Sequence, residues 1–503
     1  MNDHLVLLPI IIPLAGSAVA LLLPRRGQWQ AGWALATMLL SLVASLLLLA
    51  RVWASGRPVV FQSGGWPAPF GISLVGDLLS ATLTVMSQGV LATGVLYALG
   101  SRDRAVRYPA FYPLFLALAT GLTGALLTGD LFNLFVFAEL LVFSGTILTA
   151  ISDDKYGAEA AFKYFYMSLL ASAFLLLAIG SLYISYGTLN MADLARRVAA
   201  NPHLPLLPVA IALLFATFMV KSAVFPFHFW QPDFHTASPT AVSAMLSSVV
   251  VKLGVYGFLR MTTLLFVGQA AAIQSVLVAL GIAGVLYGGL GAVGTHNAKR
   301  MLAYSTLAQV GFILVAIGWG TPLALAAAII FAFNHSLIKA AMLMLAGAVA
   351  SRAPVKAASF EIVTGLGKHM PATGALFLIG GLALAGIPPT NGFISKMVLF
   401  RSGIEGEQFV SLAAIGFASI LTLVYTTRAF QRIWWQPLPE DSHTPVSPRT
   451  EVKPAGDRLL APALLIAAVL MLGLWARPLV ELAQATATWL GSPEAYIRGV
   501  LGS

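Results

Sequence analysis

The sequence predicts an all-α polytopic membrane protein of about 14 transmembrane helices, counted at roughly 20 apolar residues per span. Three observations predict it. Of 503 residues 58% are hydrophobic and only 10% are charged, far from the averages of soluble chains. Apolar runs long enough to cross a bilayer recur from one end to the other. The basic residues, which give a formal charge of +10, gather in short connections between those runs. They read as topology signals rather than as a surface for nucleic acid. The chain has no cysteine, which excludes disulfides, iron–sulfur ligation and thiol nucleophiles. Any electron transfer in a larger assembly must therefore take place in other subunits.

Apolar segments lie near 5–23, 31–50, 76–98, 110–129, 131–151, 164–186, 206–224, 240–262, 271–294, 303–319, 322–350, 371–400, 408–430 and 459–476. Only the turn Thr128-Gly129-Asp130 separates the fourth from the fifth. Of the 29 Lys and Arg, loops after odd-numbered helices hold 17 and the opposite side, with Arg260 counted among its helix ends, holds 8. Because short cytoplasmic loops collect positive charge, both termini are expected outside the cytoplasm, in a multi-pass protein of the cell's inner (plasma) membrane. Asp3 before the first run and Arg25-Arg26 after it reverse the polarity of a cleavable signal, so the first helix is expected to be retained. The Pro- and charge-rich connection from about Trp435 to Asp457 is too short for a domain, so residues 1–503 read as a single membrane domain.

Charge inside the spans is the informative departure. Lys221, Lys252, Lys339 and Lys396 fall in apolar segments. Glu139 lies nine residues past Asp130, about 13 Å along a helix and close to half the hydrocarbon thickness. A charge there costs at least a few kcal/mol unless it is paired, hydrated or neutralised. A structural ion pair, or lysines snorkelling to an interface, is the plain alternative. Lysine rather than arginine favours proton exchange, because burial readily frees a lysine of its proton whereas arginine keeps it.

Two spans look broken. Pro226 and Pro232 follow Lys221 in Lys221-Ser222-Ala-Val-Phe-Pro226-Phe-His228-Phe-Trp-Gln231-Pro232-Asp233-Phe-His235. Pro388 and Pro389 precede Lys396 in Gly386-Ile-Pro388-Pro389-Thr390-Asn391-Gly392-Phe-Ile-Ser395-Lys396. Proline removes a backbone donor, and irregular backbone at membrane depth marks ion pathways in transporters. His335 and Lys339 are four apart on one helical face, where a histidine could bridge the two breaks. Two other patterns are set aside. Gly289-Leu-Gly291-Ala-Val-Gly294 lacks the strand a dinucleotide fingerprint needs and reads as helix packing. His228, Asp233 and His235 lack further close ligands for a metal. No cofactor is expected.

At this point the residues match a known family. The run from Lys221 to Ala244, with Lys299-Arg-Met-Leu-Ala-Tyr-Ser305-Thr-Leu-Ala-Gln309-Val-Gly311, Phe333-Asn334-His335-Ser336-Leu-Ile-Lys339 and Gly386-Ile-Pro-Pro-Thr-Asn-Gly-Phe, resembles the antiporter-like, proton-translocating subunits of respiratory complex I and Mrp cation/proton antiporters. The resemblance spans nearly the whole chain. It implies 14 helices with two inverted five-helix repeats, helices 4–8 at 109–262 and helices 9–13 at 271–434, and discontinuous helices 7 and 12. Length and details favour a D-type subunit of a multisubunit Na+/H+ antiporter, whose partners are other membrane subunits; M-type complex I subunits carry glutamate where Lys396 stands. An N-type complex I subunit or a hydrogenase subunit remains open, as do, outside this class, a stand-alone solute transporter and a structural scaffold. Gln231 and Thr390-Asn391 depart from the commoner pattern without removing a titratable group.

The resemblance and the charge placement together imply Glu139 and Lys221 as a switching ion pair, Lys252 as a relay, His335 and Lys339 as a central bridge, and Lys396 as the terminal site. The six should form a row with successive spacings of about 6–12 Å, bridged by one to three waters. Helices 7 and 12 should be unwound at Pro226 and at Pro388-Pro389.

Overall fold

The computed structural model describes residues 3–24, 27–152, 154–353, 358–436 and 456–502. Arg25, Arg26 and most of the connection expected near 435–457 lie outside the described residues. Within them, ten helices are long and apolar enough to cross a membrane: His4–Leu22, Gln28–Ser55, Leu78–Gly100, Leu131–Ala150, Lys155–Tyr186, Thr240–Leu265, Val267–Gly294, Ala298–Trp319, Pro322–Arg352 and Phe409–Trp435. The shorter apolar helix Phe111–Leu127, two spans made of half-helices, and Leu460–Leu474 bring the number to fourteen, as the sequence predicts.

The spans are inside-out relative to a soluble bundle. In the second, Leu39, Leu40, Val43, Leu46 and Leu47 face outward. Ser41 and Ser45 are buried, with the Ser41 hydroxyl donating to Pro9 O at 3.1 Å across the helix interface. Hydrocarbon gives leucine no reason to turn inward, so small and polar residues make the helix contacts. The glycine run of the ninth span does this with the tenth: a Cβ on Gly281 would meet Gly311 O at 2.8 Å, and one on Gly311 would meet Gly281 O at 2.7 Å. The eighth span is wholly buried and the tenth and eleventh almost so, which puts Lys252, His335 and Lys339 at the centre of the protein.

Connections after even-numbered spans meet one another, and those after odd-numbered spans do likewise. On the even side, an antiparallel hairpin (Val59–Gln62 with Ser73–Gly76) contacts Thr128, while Asp130 bridges to Asn190. A short helix, Met191–Ala200, which was not expected from the sequence, and two C-terminal helices, Arg477–Leu490 and Pro493–Leu501, join this layer. Arg477–Leu490 turns 77° from the last span. On the odd side, Asp457 binds Tyr97, Ser101 and the amide of Arg102, and Ala298 N donates to Ala358 O. This segregation is an independent check on the alternation of spans.

Two basic residues are not where the loop count put them. Lys163 lies inside the sixth span, which begins at Lys155 behind the N-cap Asp154, and pairs with Asp233 at 2.7 Å. Arg260, counted at a helix end among the topology signals, is instead packed inside, 3% exposed, and binds Asp77 at 2.6 Å. Asp77 also caps the third span by accepting from Ser80 N at 2.7 Å. The Arg260 guanidinium lies 5.0 Å from the ring centres of Tyr256 and Tyr496, which fixes the C-terminal helix to the eighth span. A hydropathy pattern registers the charge but not the partner that makes burial tolerable.

Removing one partner of a buried pair strands the other charge, at a cost of about 3–5 kcal/mol. Arg260→Met or Asp77→Ala should each lower the thermal unfolding temperature of the purified protein markedly, and the double substitution should recover much of the loss. Single variants as stable as the parent would contradict a stabilising role for this pair.

Candidate functional site

The seventh span is interrupted between Leu207–Lys221 and Trp230–Ala237. Pro226 has no amide to continue the helix, and Ala223, at φ +51°, turns the chain out of it. The twelfth span is interrupted between Pro371–Ala385 and Asn391–Glu405, with Gly386 at φ +83° ending the first half and Pro388-Pro389 in the gap. Both breaks fall where the prolines place them.

Lys221 and Lys396 stand on opposite sides of their prolines in sequence, yet each is associated with the C-terminal end of a half-helix. Lys221 is the last residue of its half-helix. Lys396 reaches back across the gap, and its Nζ donates to Ala385 O, the last carbonyl of the other, at 2.8 Å. A helix C-terminus carries a partial negative charge and unpaired carbonyls, and so favours a cation. The Lys396 Nζ also lies 5.2 Å from the Phe312 ring centre.

All four lysines are buried, Lys252 and Lys339 to 1% and 0% exposure, so none snorkels to an interface. Lys252 Nζ and His335 Nδ1 are 2.6 Å apart. That is direct contact, closer than the water-bridged spacing expected from the sequence. One proton can occupy such a contact, carried by either the amine or the ring. Lys339 Nζ donates to Ser305 Oγ at 2.8 Å and to Leu302 O at 3.1 Å, and Tyr425 OH donates to Ser305 at 2.7 Å.

His335 and Lys396 line a common cavity of about 10 Å³, with Gln309 and Ser395. That is room for about one water. Asn334 braces this side, donating to Asn391 O at 3.0 Å and to Ser395 Oγ at 2.9 Å, which ties the eleventh span to the second half of the twelfth.

On the other side, Glu139 is partly buried in the fifth span and accepts a hydrogen bond from Ser172. Lys221 Nζ has no hydrogen-bond partner among the described residues, and no Glu139–Lys221 ion pair within 4.0 Å is found there. Ser222, next to Lys221, donates to Val251 O at 3.0 Å, next to Lys252.

Several supporting features were not read from the sequence. Residues Leu246–Val250 form a π-turn that ends two residues before Lys252. Such a turn inserts an extra residue and rotates the helix beyond it, and its Ser248 carbonyl accepts from Ser336 at 2.8 Å, one residue from His335. No local residue pattern announces it. Ser172 and Tyr425 likewise carried no signal beyond being polar in an apolar run. His228 lies 4.7 Å from Tyr287, ring to ring, Asp233 pairs with Lys163 and Arg300, and His235 bonds Ser243, so the three set-aside residues take separate partners.

Fold and interior together define a polytopic helical membrane protein whose two broken spans flank buried, hydrogen-bonded lysines and a histidine. Residues 128–422 match the family described as NADH:quinone oxidoreductase/Mrp antiporter, transmembrane. The chain belongs to that family. It is 32% identical to the D subunit of the Na(+)/H(+) antiporter of Alkalihalophilus pseudofirmus, over 99% of both chains. It is 34% identical to the N subunit of the NADH-quinone oxidoreductase of Desulforudis audaxviator, over 94% of this chain and 95% of that one. Its fold superimposes on a chain of the Mrp complex from Dietzia sp. DQ12-45-1b with a TM-score of 0.88, at 30% identity and 99% coverage of both.

Gly386 offers a test of the Lys396 geometry. An added Cβ would lie 2.6 Å from Lys396 Cδ, at a φ that L residues rarely adopt. Gly386→Ala should destabilise the protein by about 1–3 kcal/mol, whereas Gly180→Ala, whose Cβ would meet nothing within 4 Å, should be neutral. Equal unfolding temperatures for the two variants would show that Lys396 does not need this approach.

Proposed function

We propose that this chain is a proton-translocating subunit of a multisubunit cation/proton antiporter, with sodium the cation exchanged by the assembly, and that its protons pass laterally along Glu139, Lys221, Lys252, His335, Lys339 and Lys396. The observation that carries the reading is the 2.6 Å contact between Lys252 and His335, which joins the eighth span, beside one break, to the eleventh, beside the other. No bond to carbon is made or broken. Closing the Glu139–Lys221 pair favours the charged lysine; opening it pushes the proton toward Lys252.

The scale is adequate. One pK unit is about 1.4 kcal/mol, and 100 mV supplies about 2.3 kcal/mol per charge. Shifts of one or two units therefore suffice for coupling. We further propose two inverted repeats, residues 109–262 and 271–434, each containing one broken span, and a plasma-membrane topology with both termini on the non-cytoplasmic side, the face reached after even-numbered spans.

A second reading, an N-type subunit of a redox-driven pump, is favoured by the 34% identity to such a subunit. Purification of the native assembly separates them. Small membrane subunits alone support the antiporter; flavin and iron–sulfur subunits support the pump.

In vesicles of the assembled antiporter, Lys221→Ala and Glu139→Ala should each abolish cation-driven proton exchange with assembly intact. Undiminished exchange would remove the switching pair. Lys396→Glu should be milder than Lys396→Ala, because glutamate also titrates. Two equally inactive variants would mean that positive charge itself is required.

A further inference from the structure

Where the thirteenth span, Phe409–Trp435, emerges on the odd-loop side, Arg428, Gln431, Arg432, Trp435 and Gln436 surround a hollow of about 430 Å³. The positive-charge bias makes this the cytoplasmic side. Neither arginine pairs with a carboxylate among the described residues. Arg428 Nη1 donates to Val293 O at 2.6 Å and Arg432 Nη1 to Gln436 Oε1 at 3.2 Å, both neutral acceptors. A guanidinium has five N–H donors, so most of them remain to be satisfied.

A helix C-terminus ordinarily repels an anion, because its last carbonyls are bare. Here they are taken. Arg432 O accepts from Thr364 Oγ1 at 2.9 Å, Ile433 O from Leu366 N at 2.9 Å and Gln431 O from Gln436 N at 2.9 Å. What this end presents to its surroundings is positive charge.

The hollow leads into an apolar track. The bond from Arg428 to Val293 O sets the thirteenth span beside the ninth, and both spans run toward the odd-loop side. One turn deeper, Val424 and Leu290 are exposed on the two helices, with Ile420 and Phe417 exposed beyond Val424. Trp435 is exposed beside the arginines, at the level where tryptophan gathers in bilayers. A soluble anion has no use for such a track, and a partner helix docked here would have to supply the missing negative charge. A phospholipid with an anionic headgroup meets both features with one molecule.

We propose that Arg428 and Arg432 hold the phosphate of an anionic phospholipid of the cytoplasmic leaflet, with its acyl chain along Leu290, Val424, Ile420 and Phe417. Basic pockets at the cytoplasmic ends of helices suit such headgroups, and the arginine fork matches two phosphate oxygens. Because Arg428 also bonds Val293 O, the lipid braces the adjoining ends of the ninth and thirteenth spans. The leaflet follows from the topology proposed above; the site itself does not depend on the lateral row.

Native mass spectrometry of the assembled complex, titrated with phosphatidylglycerol or phosphatidylcholine, tests this. Phosphatidylglycerol should bind saturably and in preference to phosphatidylcholine, and Arg428→Gln with Arg432→Gln should weaken it about tenfold. Arg104→Gln with Arg107→Gln removes two exposed charges from the same side and should change the affinity by no more than about twofold. Equal losses in the two double variants would mean general surface charge rather than a site, and would overturn the proposal. Should Arg428→Gln prevent assembly, Arg432→Gln alone, which breaks only the contact with Gln436, should weaken binding about threefold; undiminished binding would contradict the site. A large excess of inorganic phosphate should leave the lipid bound, and its displacement would show that the anion alone is recognised. Binding by the purified chain that is lost in the assembled complex would mean that a neighbouring subunit covers this face, which also overturns the proposal.

Discussion

The contact between Lys252 and His335 is the interaction on which the interior depends. Both groups are buried in the most enclosed spans of the protein, where an isolated charge would cost several kcal/mol. The contact halves the problem by giving two basic groups one proton between them. Much of the nearby architecture serves to hold it. The π-turn sets the direction of Lys252, Ser336 ties the eleventh span to that turn, and Ser222 ties the broken seventh span to the residue before Lys252. Gly254 permits this last approach, since a Cβ there would lie 2.5 Å from Phe218 O.

The protein handles the buried cation of Arg260 in a different way. Arg260 is held by a carboxylate and two aromatic faces, with no partner able to take its proton. It locks the C-terminal helix in place. Lys252, Lys339 and Lys396 instead have neutral partners, carbonyls and hydroxyls at Ala385, Leu302 and Ser305, or a basic ring at His335. Neutral partners stabilise an ammonium without fixing it, which suits a group that must give up its proton. The same fold therefore separates static from exchangeable charge by the chemistry of the partner.

Composition and spacing made the spans, the turn at Gly129 and both breaks legible, because apolar length and proline are local properties. The motif around Lys221 and the His335–Lys339 spacing brought the candidate residues into view. Tertiary partners were not legible. Nothing in the sequence near Arg260 points to Asp77, and nothing near Lys252 encodes a π-turn. The apparent mismatch between Lys221, before its prolines, and Lys396, after them, dissolves only when Lys396 is seen to reach back to Ala385. Spacing along a chain says which groups share a helix face; it does not say how far a long side chain extends.

The central claim is that titration, not charge, is what these lysines contribute. Lys252→Arg tests it most directly, because arginine keeps the positive charge and the reach toward His335 but does not release a proton in proteins. In an assembled complex of normal stability, Lys252→Arg should abolish cation-driven proton exchange. Exchange at the parental rate with arginine in this position would contradict the claim.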